Sequence, residues 1–301
     1  MSTAGGAPQQ APVPDARALP VPAGLREITA ARPAVFEAEV TARRPLGGRG
    51  VLLSAYARGV AVVLRPGEFL TARAWPGLDP LLRRPLAPFD VQLEAGGTRI
   101  DLLLLAGGRG TRLLAALEPG ERLSLLGPLG RPFSPPRPGR LHVLVGGGVG
   151  IAPLHHLARE ACAADSRIRL QAVIGARTAA LLFGADELQA LGVPLTLATE
   201  QGDRGLCGTA IEALEQLLER LPEPPLLYGC GPEGMLLALV RLARARGLGG
   251  EVSLERHMAC GFGVCYTCAC RVIEPDGAVR RVRSCLAGPV FPIAALPEDG
   301  W

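Results

Sequence analysis

Residues 260–268 read CGFGVCYTC, and a fourth cysteine, Cys285, follows after sixteen further residues. The spacing C-x4-C-x2-C with a distant fourth cysteine is typical of a [2Fe–2S] site. Three thiolates of one tight loop approach one side of the cluster, and the fourth closes it. Gly261 and Gly263 allow that loop to wrap closely, because glycine accepts backbone angles that a side chain forbids. We therefore predict four cysteine ligands: Cys260, Cys265, Cys268 and Cys285.

The alternative for four clustered thiolates is a structural zinc site. Zinc sites more often use two short C-x2-C knuckles, and here only Cys265 and Cys268 have that spacing. The spacing therefore favours an iron–sulfur cluster. We expect Cys270 to lie outside the ligand set, as a small residue packed near the loop. A disulfide framework is not expected, because the sequence shows no secretory signal.

A glycine-rich loop at residues 145–153 reads VGGGVGIAP, between a predicted strand and a predicted helix. Such a loop exposes backbone N–H groups to phosphate oxygens, and the helix N-terminus adds a favourable partial charge. The dinucleotide fingerprint is imperfect, because Ile151 stands where its third glycine belongs. The predicted nucleotide contacts in this loop are Gly146, Gly147, Gly148 and Gly150.

A second marker of the same site is the stretch YGCGPEGM at residues 228–235, again a strand end leading into a helix. In an open α/β sheet, ligands bind beyond the carboxyl ends of the strands, where both motifs lie. We predict contacts from Cys230, Gly231 and Pro232. Arg177 and Thr178 follow the second predicted strand, and they are either neighbours of an adenosine ribose or part of a solvated loop.

Composition bounds the class of protein. The 301 residues suggest about two domains, and 48% hydrophobic with 20% charged residues excludes a mainly disordered or fibrous chain. The formal charge of +4, without interleaved aromatic residues, argues against a nucleic-acid partner. No stretch of about 20 apolar residues predicts a membrane span. We expect a cytoplasmic protein without membrane insertion.

Four regions follow one another along the chain. Residues 1–33, rich in Ala, Pro and Gly, predict a disordered tail. Residues 34–138 show short alternating strands and a Gly96-Gly97 hairpin turn, which predict an antiparallel barrel. Residues 139–250 alternate strands with helices and predict a parallel sheet covered on both faces. Residues 251–301 form the cysteine-rich cluster domain. The predicted fold class is a β barrel plus α/β.

This combination resembles a known family. A barrel followed by GGGVGIAP and YGCGPEGM is similar to the ferredoxin–NADP reductase superfamily. The C-terminal cysteine segment, with ERHMACG at residues 255–261, narrows the resemblance to the electron-transfer subunits of two-subunit (class 1B) dihydroorotate dehydrogenases. The resemblance covers roughly residues 35–291 and implies that the barrel binds FAD.

The resemblance also implies flavin contacts. The family's R-P-x-S element appears at residues 84–87 with Ala87 in place of serine; Arg84 would pair with the FAD pyrophosphate and Leu86 would lie against the isoalloxazine. The family's G-x-G-T appears at residues 108–111, an anion site at a helix start. Relatives carry an aromatic and a basic residue at 103–105, where this chain is aliphatic, so the contacts there are either made by the backbone or absent. The implied set is Arg84, Pro85, Leu86, Ala87, Leu103, Leu104, Leu105, Gly110 and Thr111.

The order of the cofactors follows from their chemistry. Nicotinamide exchanges hydride, the cluster exchanges single electrons, and flavin does both, so FAD stands between them. The family implies a partner, the FMN-containing dihydroorotate dehydrogenase catalytic subunit, in a heterotetramer of pyrimidine (UMP) biosynthesis. We expect electrons to pass from FMN through [2Fe–2S] and FAD to NAD+. The chain itself would then hold no dihydroorotate site and no catalytic acid or base.

Three questions stay open from the sequence. The same modules suit a reductase subunit of the sulfide-dehydrogenase or transhydrogenase type, with a different partner. A non-catalytic, zinc-stabilised binding module is the alternative from another class. The choice of NAD over NADP rests on the family, because Arg177 could also meet a 2′-phosphate.

Overall fold

The structure is a computed structural model, in which residue 22 and residues 24–301 are described. The N-terminal half is built from short strands whose side chains alternate between core and solvent. In the second strand Phe36, Ala38 and Val40 are buried while Glu37 and Glu39 are exposed, as the sequence pattern predicts. The elements are β1 (Arg26–Thr29), β2 (Ala34–Pro45), β3 (Gly50–Arg58), β4 (Val60–Val63), β5 (Phe69–Arg73), β6 (Arg84–Leu86), β7 (Pro88–Glu94), β8 (Gly97–Leu105), α1 (Arg109–Ala115) and β9 (Arg122–Leu129).

These strands enclose one apolar core. Seven of them form an antiparallel sheet in the order β6-β5-β9-β2-β3-β8-β7, and β1 pairs in parallel with β4. Its interior is filled by fully buried aliphatic side chains, among them Leu53, Leu70, Ile100, Leu102 and Leu123. The predicted antiparallel barrel is confirmed as a sheet wrapped around this core.

The start of the barrel differs from the sequence expectation. We predicted a disordered tail through residue 33, but Arg26–Thr29 form a strand and Ile28 is buried in the barrel core. This strand pairs in parallel with β4, and its four residues are too few for an alternating hydrophobic pattern to be recognised in the sequence. Residues 1–21 and residue 23 of the predicted tail lie outside the described residues.

The second half is a parallel sheet with helices on both faces, as predicted. The elements are β10 (Leu141–Gly147), α2 (Ile151–Ala164), β11 (Arg169–Ala176), α3 (Ala185–Ala190), β12 (Leu195–Thr199), β13 (Leu206–Cys207), α4 (Ala210–Leu218), β14 (Leu226–Cys230), α5 (Glu233–Ala245), β15 (Gly250–Ser253), β16 (Ala269–Ile273), β17 (Val279–Arg283), α6 (Ser284–Ala287) and β18 (Val290–Pro292). The strand order is β13-β12-β11-β10-β14-β15-β18, and every neighbouring pair is parallel except β15 with β18. Helices α2 and α3 cover one face, and α4 and α5 cover the other.

The cysteine-rich segment is not a separate C-terminal unit. We placed its start at residue 251, but β15 belongs to the parallel sheet, and β18 returns to pair with it. Phe291, Leu296 and Trp301 are buried in the core under α4 and α5. The chain therefore leaves the sheet after β15, builds the cysteine loop, and ends on the sheet again.

The barrel and the parallel-sheet domain share an apolar interface. Phe89 of β7 stacks on the ring of His155 in α2, with centroids 3.9 Å apart and planes 8° from parallel. His155 Nδ1 lies 2.9 Å from the Phe89 carbonyl oxygen, and Arg159 pairs with Asp90. Packing of this kind fixes the orientation of the glycine loop that precedes α2. In the described part of the chain no helix is long and apolar enough to cross a membrane.

Candidate cofactor sites

A hairpin brings the distant fourth cysteine to the other three. Strands β16 and β17 pair in antiparallel register with Ala269 opposite Arg283, so Cys268 and Cys285 stand at the same end of the hairpin. The Ser284 backbone N–H donates to the Cys268 carbonyl oxygen at 3.1 Å, which fixes that end. The sixteen intervening residues are therefore the two strands, their turn and Ser284, and the hairpin brings Cys285 next to Cys268.

The four thiols are arranged as two pairs. Hydrogen bonds from Thr267 and Cys260 lower the pKa of Cys265 to about 6. Burial, together with the hydrogen bond and charge of Cys268, raises the pKa of Cys285 to about 12. Cys265 is thus hydrogen-bonded to Cys260, and Cys285 to Cys268, while the charge of Cys260 also helps to raise the pKa of Cys285. A two-iron cluster takes two thiolates on each iron, so this pairing fits its donor set.

No group of three His, Cys, Asp or Glu side chains that could hold a metal ion is found among residues 24–301 and residue 22.

Cys270 stays outside the cysteine loop: it is buried in the apolar core beneath the hairpin, which raises the pKa of its thiol to about 11.

The loop that carries the first cysteines is shaped by its glycines. Residues 254–268 form no helix or strand, and Gly261 and Gly263 take φ angles of 80° and 88°, in the left-handed region. The Val264 backbone N–H donates to Cys260 Sγ at 3.3 Å. Arg283 donates to the Gly263 carbonyl oxygen at 2.5 Å. A loop with N–H groups turned toward sulfur is the cradle that an iron–sulfur cluster needs.

The cysteine loop lies directly on the barrel. A Cβ on Gly261 would stand 3.0 Å from Thr71 Cγ2 and 3.6 Å from Phe69 Cε2, so the loop backbone touches strand β5. Phe69 and Leu129 pack with Cys268 and Cys285 in one buried apolar cluster. Strand β5 also pairs with β6, which carries the flavin motif. One strand therefore separates the cysteine site from the flavin motif.

The flavin motif and the predicted second anion site come together. The Arg84 guanidinium lies 5.7 Å from the centroid of the Trp75 ring and contacts Gly110, where a Cβ would overlap it. Arg84 Nη1 donates to the Leu82 carbonyl oxygen at 2.7 Å. Thr111 Oγ1 accepts from the Gly108 N–H at 3.0 Å. A guanidinium held beside the start of α1 is a fitting cradle for a pyrophosphate.

Most of the other expected flavin contacts are buried or half-buried. Pro85, Leu86 and Ala87 are half-buried, and Leu86 packs on the barrel core. Leu104 is buried inside the barrel, and Leu103 is buried in the interface with the parallel-sheet domain. Only Leu105 is exposed. Strand β8 pairs with β7 only as far as Leu102 but with β3 through Leu105, so beyond Leu102 one edge of its backbone is free of β7.

The two glycine-rich motifs of the nucleotide site meet at the carboxyl ends of adjacent strands β10 and β14. A Cβ on Gly150 would stand 2.5 Å from the backbone of Cys230 and Gly231, and a Cβ on Gly147 would stand 3.0 Å from Pro232 Cδ. Gly146 is packed under the loop, and Gly148 is open, with φ 55°. The structure thus brings together all seven residues that we predicted for the dinucleotide.

Two buried side chains at this nucleotide site, Cys230 and Tyr228, are neutral. Burial raises the pKa of the Cys230 thiol to about 12, so it is protonated at neutral pH. Burial also raises the pKa of Tyr228, whose ring packs 5.7 Å from that of Phe133. Arg177 is exposed at the end of β11.

Comparison with known proteins agrees with this arrangement. Residues 255–296 match the iron–sulfur cluster binding domain of dihydroorotate dehydrogenase B, and residues 144–241 match the oxidoreductase NAD-binding domain. The dihydroorotate dehydrogenase B (NAD(+)) electron transfer subunit of Desulforamulus reducens is 33% identical over 258 residues, which are 86% of this chain and 96% of the relative. The chain belongs to this family. Its relative from Geobacillus thermodenitrificans is 36% identical, over 84% of this chain and 94% of the relative.

Solved structures agree with the family assignment. The structure described for flavin-based electron bifurcation by the NADH-dependent reduced ferredoxin-NADP oxidoreductase matches with a TM-score of 0.75 and 27% identity, covering 87% of this chain and 90% of that one. A ferredoxin NADP+ reductase from Neisseria gonorrhoeae with bound FAD and NADP shares the fold, with a TM-score of 0.58, 18% identity and coverage of 71% and 92%. The expected iron–sulfur cluster and nicotinamide dinucleotide agree with the two family models, and the barrel expected to bind FAD has the fold of these flavin-containing reductases.

Several residues at these sites escaped the sequence analysis. Trp75 flanks Arg84, Thr71 touches the cysteine loop, and Arg283 holds that loop while its guanidinium lies 4.7 Å from the centroid of the Tyr266 ring. None of these residues belongs to a recognisable motif, and each makes its contact with a residue that is not its neighbour in the sequence. Only Phe69 had a signal, since it ends the PGEF stretch at the entry to β5.

Proposed function

We propose that this chain is the electron-transfer subunit of an NAD-linked dihydroorotate dehydrogenase, in pyrimidine (UMP) biosynthesis. It would take electrons that an FMN-containing catalytic subunit gains from dihydroorotate and deliver them to NAD+. One observation carries the proposal: the cysteine site lies between an exposed apolar loop on one side and the flavin-motif strands on the other. We also propose a cytoplasmic location, since the described residues hold no disulfide and cysteines stay reduced in that compartment.

The exposed apolar loop suits a partner protein. Phe262, Val264 and Tyr266 are 49%, 73% and 60% exposed, and Leu286 beside them is 46% exposed. Exposed apolar side chains in one place mark a protein interaction site. Cys265 is exposed among them, so a partner docked here would reach the cysteine site with little intervening protein. We propose that the catalytic subunit covers this loop, in a heterotetramer.

The residues of this chain hold and separate three cofactors. When bound, the cluster supplies single-electron exchange, FAD links single electrons to hydride, and NAD+ accepts the hydride. We assign the cluster to Cys260, Cys265, Cys268 and Cys285, the FAD pyrophosphate to Arg84 with Gly110 and Thr111, and the dinucleotide to the loops at 146–150 and 230–232. The interface of α2 with β7 joins the helix that follows the first nucleotide loop to the barrel.

A second candidate function is a transhydrogenase-type reductase subunit. The match to the NADH-dependent reduced ferredoxin-NADP oxidoreductase favours it, because that structure covers nearly the same length of chain. It requires a different partner and substrate but the same three cofactor sites.

The test is to purify the native complex, identify its partner and assay it. We expect an FMN-containing subunit to co-purify, and dihydroorotate to drive reduction of NAD+ by the complex. Reduction of NAD+ by reduced ferredoxin or NADPH, without any response to dihydroorotate, would instead establish the transhydrogenase alternative. A colourless native preparation that contains zinc and no iron would overturn both.

A further inference from the structure

Thr71 is a buried polar side chain without a protein partner. It is 2% exposed, and its Oγ1 has no hydrogen-bond partner among the described residues. Its neighbours Leu70 and Ala72 point into the barrel core. Because side chains alternate along a strand, Thr71 points to the opposite face, together with Phe69. That face is the one on which the cysteine loop lies.

The surroundings of this hydroxyl are apolar. Phe69, Leu126, Leu129 and Met258 pack with the cysteines at this face. On either side of Thr71, strand β5 is paired with β6 and with β9, which engages the neighbouring backbone groups in the sheet. A hydroxyl placed in such an interface is costly unless something accepts its hydrogen bond. The side chains of this interface that can accept a hydrogen bond carry sulfur: Cys268, Cys285 and Met258.

A second hydroxyl has the same property. Ser284 Oγ is buried and without a partner among the described residues, and Ser284 directly precedes Cys285. Across residues 24–301 these are the two hydroxyl oxygens that are buried without a partner, and both lie next to the predicted cluster ligands. Other buried hydroxyls are satisfied; Thr98 Oγ1, for example, donates to the Val60 carbonyl oxygen and accepts from the Val62 N–H.

We propose that the Thr71 hydroxyl donates a hydrogen bond to a sulfur of the iron–sulfur cluster or of its ligand Cys260, and thereby raises the reduction potential of the cluster. This rests on the cluster ligands assigned under the proposed function. Reduction adds negative charge to the cluster, and a hydrogen-bond donor to its sulfurs stabilises the reduced form. Thr71 thus acts as a positioning residue: its hydrogen bond to sulfur changes how readily the cluster accepts an electron.

The location of Thr71 links the potential of the cluster to the flavin-binding barrel. Thr71 is opposite Pro85 in the register of β5 with β6, and its methyl group touches Gly261 next to Cys260. It therefore stands between the cysteine site and the flavin motif. A donor from the flavin-binding barrel sets the cluster's potential only when the barrel and the cysteine loop are packed together.

The experiment compares Thr71→Val, Thr71→Ser and Thr98→Val in the purified native complex. The cluster potential is measured by a redox titration followed by electron paramagnetic resonance, and the flavin potential by absorbance. We expect T71V to lower the equilibrium constant for cluster reduction by up to tenfold, which is about 59 mV for a one-electron couple. T71S should lie within twofold of the wild type, and T98V should lose stability without changing the potential.

Two results would overturn the proposal. One is an unchanged cluster potential in T71V at full iron content, and the other is a shift of the flavin potential alone, which would assign the hydroxyl to the flavin. If T71V retains too little iron for titration, Thr71→Ala provides the same loss of hydroxyl with less crowding. Wild-type protein without iron would refute the cluster assignment itself, which distinguishes that failure from a failure of the Thr71 proposal.

Discussion

The cysteine site and the nucleotide site obtain their geometry in opposite ways. The nucleotide loops are short connections at the ends of buried strands, and their backbones are pressed against each other at Gly150. The cysteine loop spans residues 254–268 without regular structure and exposes several apolar side chains. The first site is built by the scaffold, and the second depends on the group that its four thiols hold. Four predictions test this contrast.

The largest effect is expected from removing one thiol of the cysteine site. Cys268→Ser should lose essentially all bound iron, whereas Cys270→Ser, also buried but in the neighbouring core, should keep it. Iron analysis and the visible spectrum measure this. Hydrogen exchange should then rise at residues 255–268 in C268S and stay slow in β10, because metal binding is coupled to local order. If hydrogen exchange in C268S rose equally at residues 255–268 and in β10, the two sites would not be independent.

A large effect is also expected from adding a side chain at the point where the two nucleotide loops pack closely. Gly150→Ala places a Cβ against the rigid backbone of Cys230 and Gly231, so NADH affinity should fall at least tenfold and stability by about 1–3 kcal/mol. Gly234→Ala is the control, because a Cβ there meets nothing and alanine favours a helix by about 0.5–1 kcal/mol. Calorimetric titration with NADH and thermal melts measure both. Unchanged affinity in G150A would contradict a site built by close packing.

The flavin site should show an intermediate effect. Arg84→Ala removes the guanidinium held between Trp75 and Gly110, and a hydrogen bond to a charged group contributes about 1.5–3 kcal/mol. FAD content should therefore fall roughly tenfold or more in R84A. Arg58→Ala, an exposed arginine stacked on Tyr56 elsewhere on the barrel, should leave it unchanged. Equal FAD occupancy in R84A and wild type would remove Arg84 from the flavin site.

The smallest effect concerns pH and the interface behind the nucleotide loop. Burial lowers the pKa of His155, although the Phe89 carbonyl and the charges of Asp90 and Glu187 oppose this. The unfolded chain therefore binds a proton that the folded chain does not, and stability is lost as pH falls below the ordinary histidine pKa. Thermal melts from about pH 7.5 to 5.5 should fall more steeply in wild type than in His155→Gln. Parallel slopes would show that His155 does not titrate with unfolding.

Much of the fold was predictable because its signals are local. Alternation in β2 and strand–helix alternation after residue 139 predicted the two domains, and the structure confirms both. Two boundaries were wrong for one reason: β1 and β18 are short strands whose pairing partners lie far along the chain. No periodicity of three or four residues could reveal that the chain returns to β15 after the cysteine loop.

By itself the sequence determined the chemical inventory of this protein. Four cysteines at fixed spacing, two glycine loops at strand ends and an Arg-Pro pair on a short strand are properties of neighbouring residues, so they can be read from the chain. Only the tertiary structure decided how these sites meet: Arg84 beside Gly110, Gly150 against Cys230, and Thr71 beneath Gly261. Such contacts join residues from different elements, and their geometry depends on how strands pair and pack around a common core.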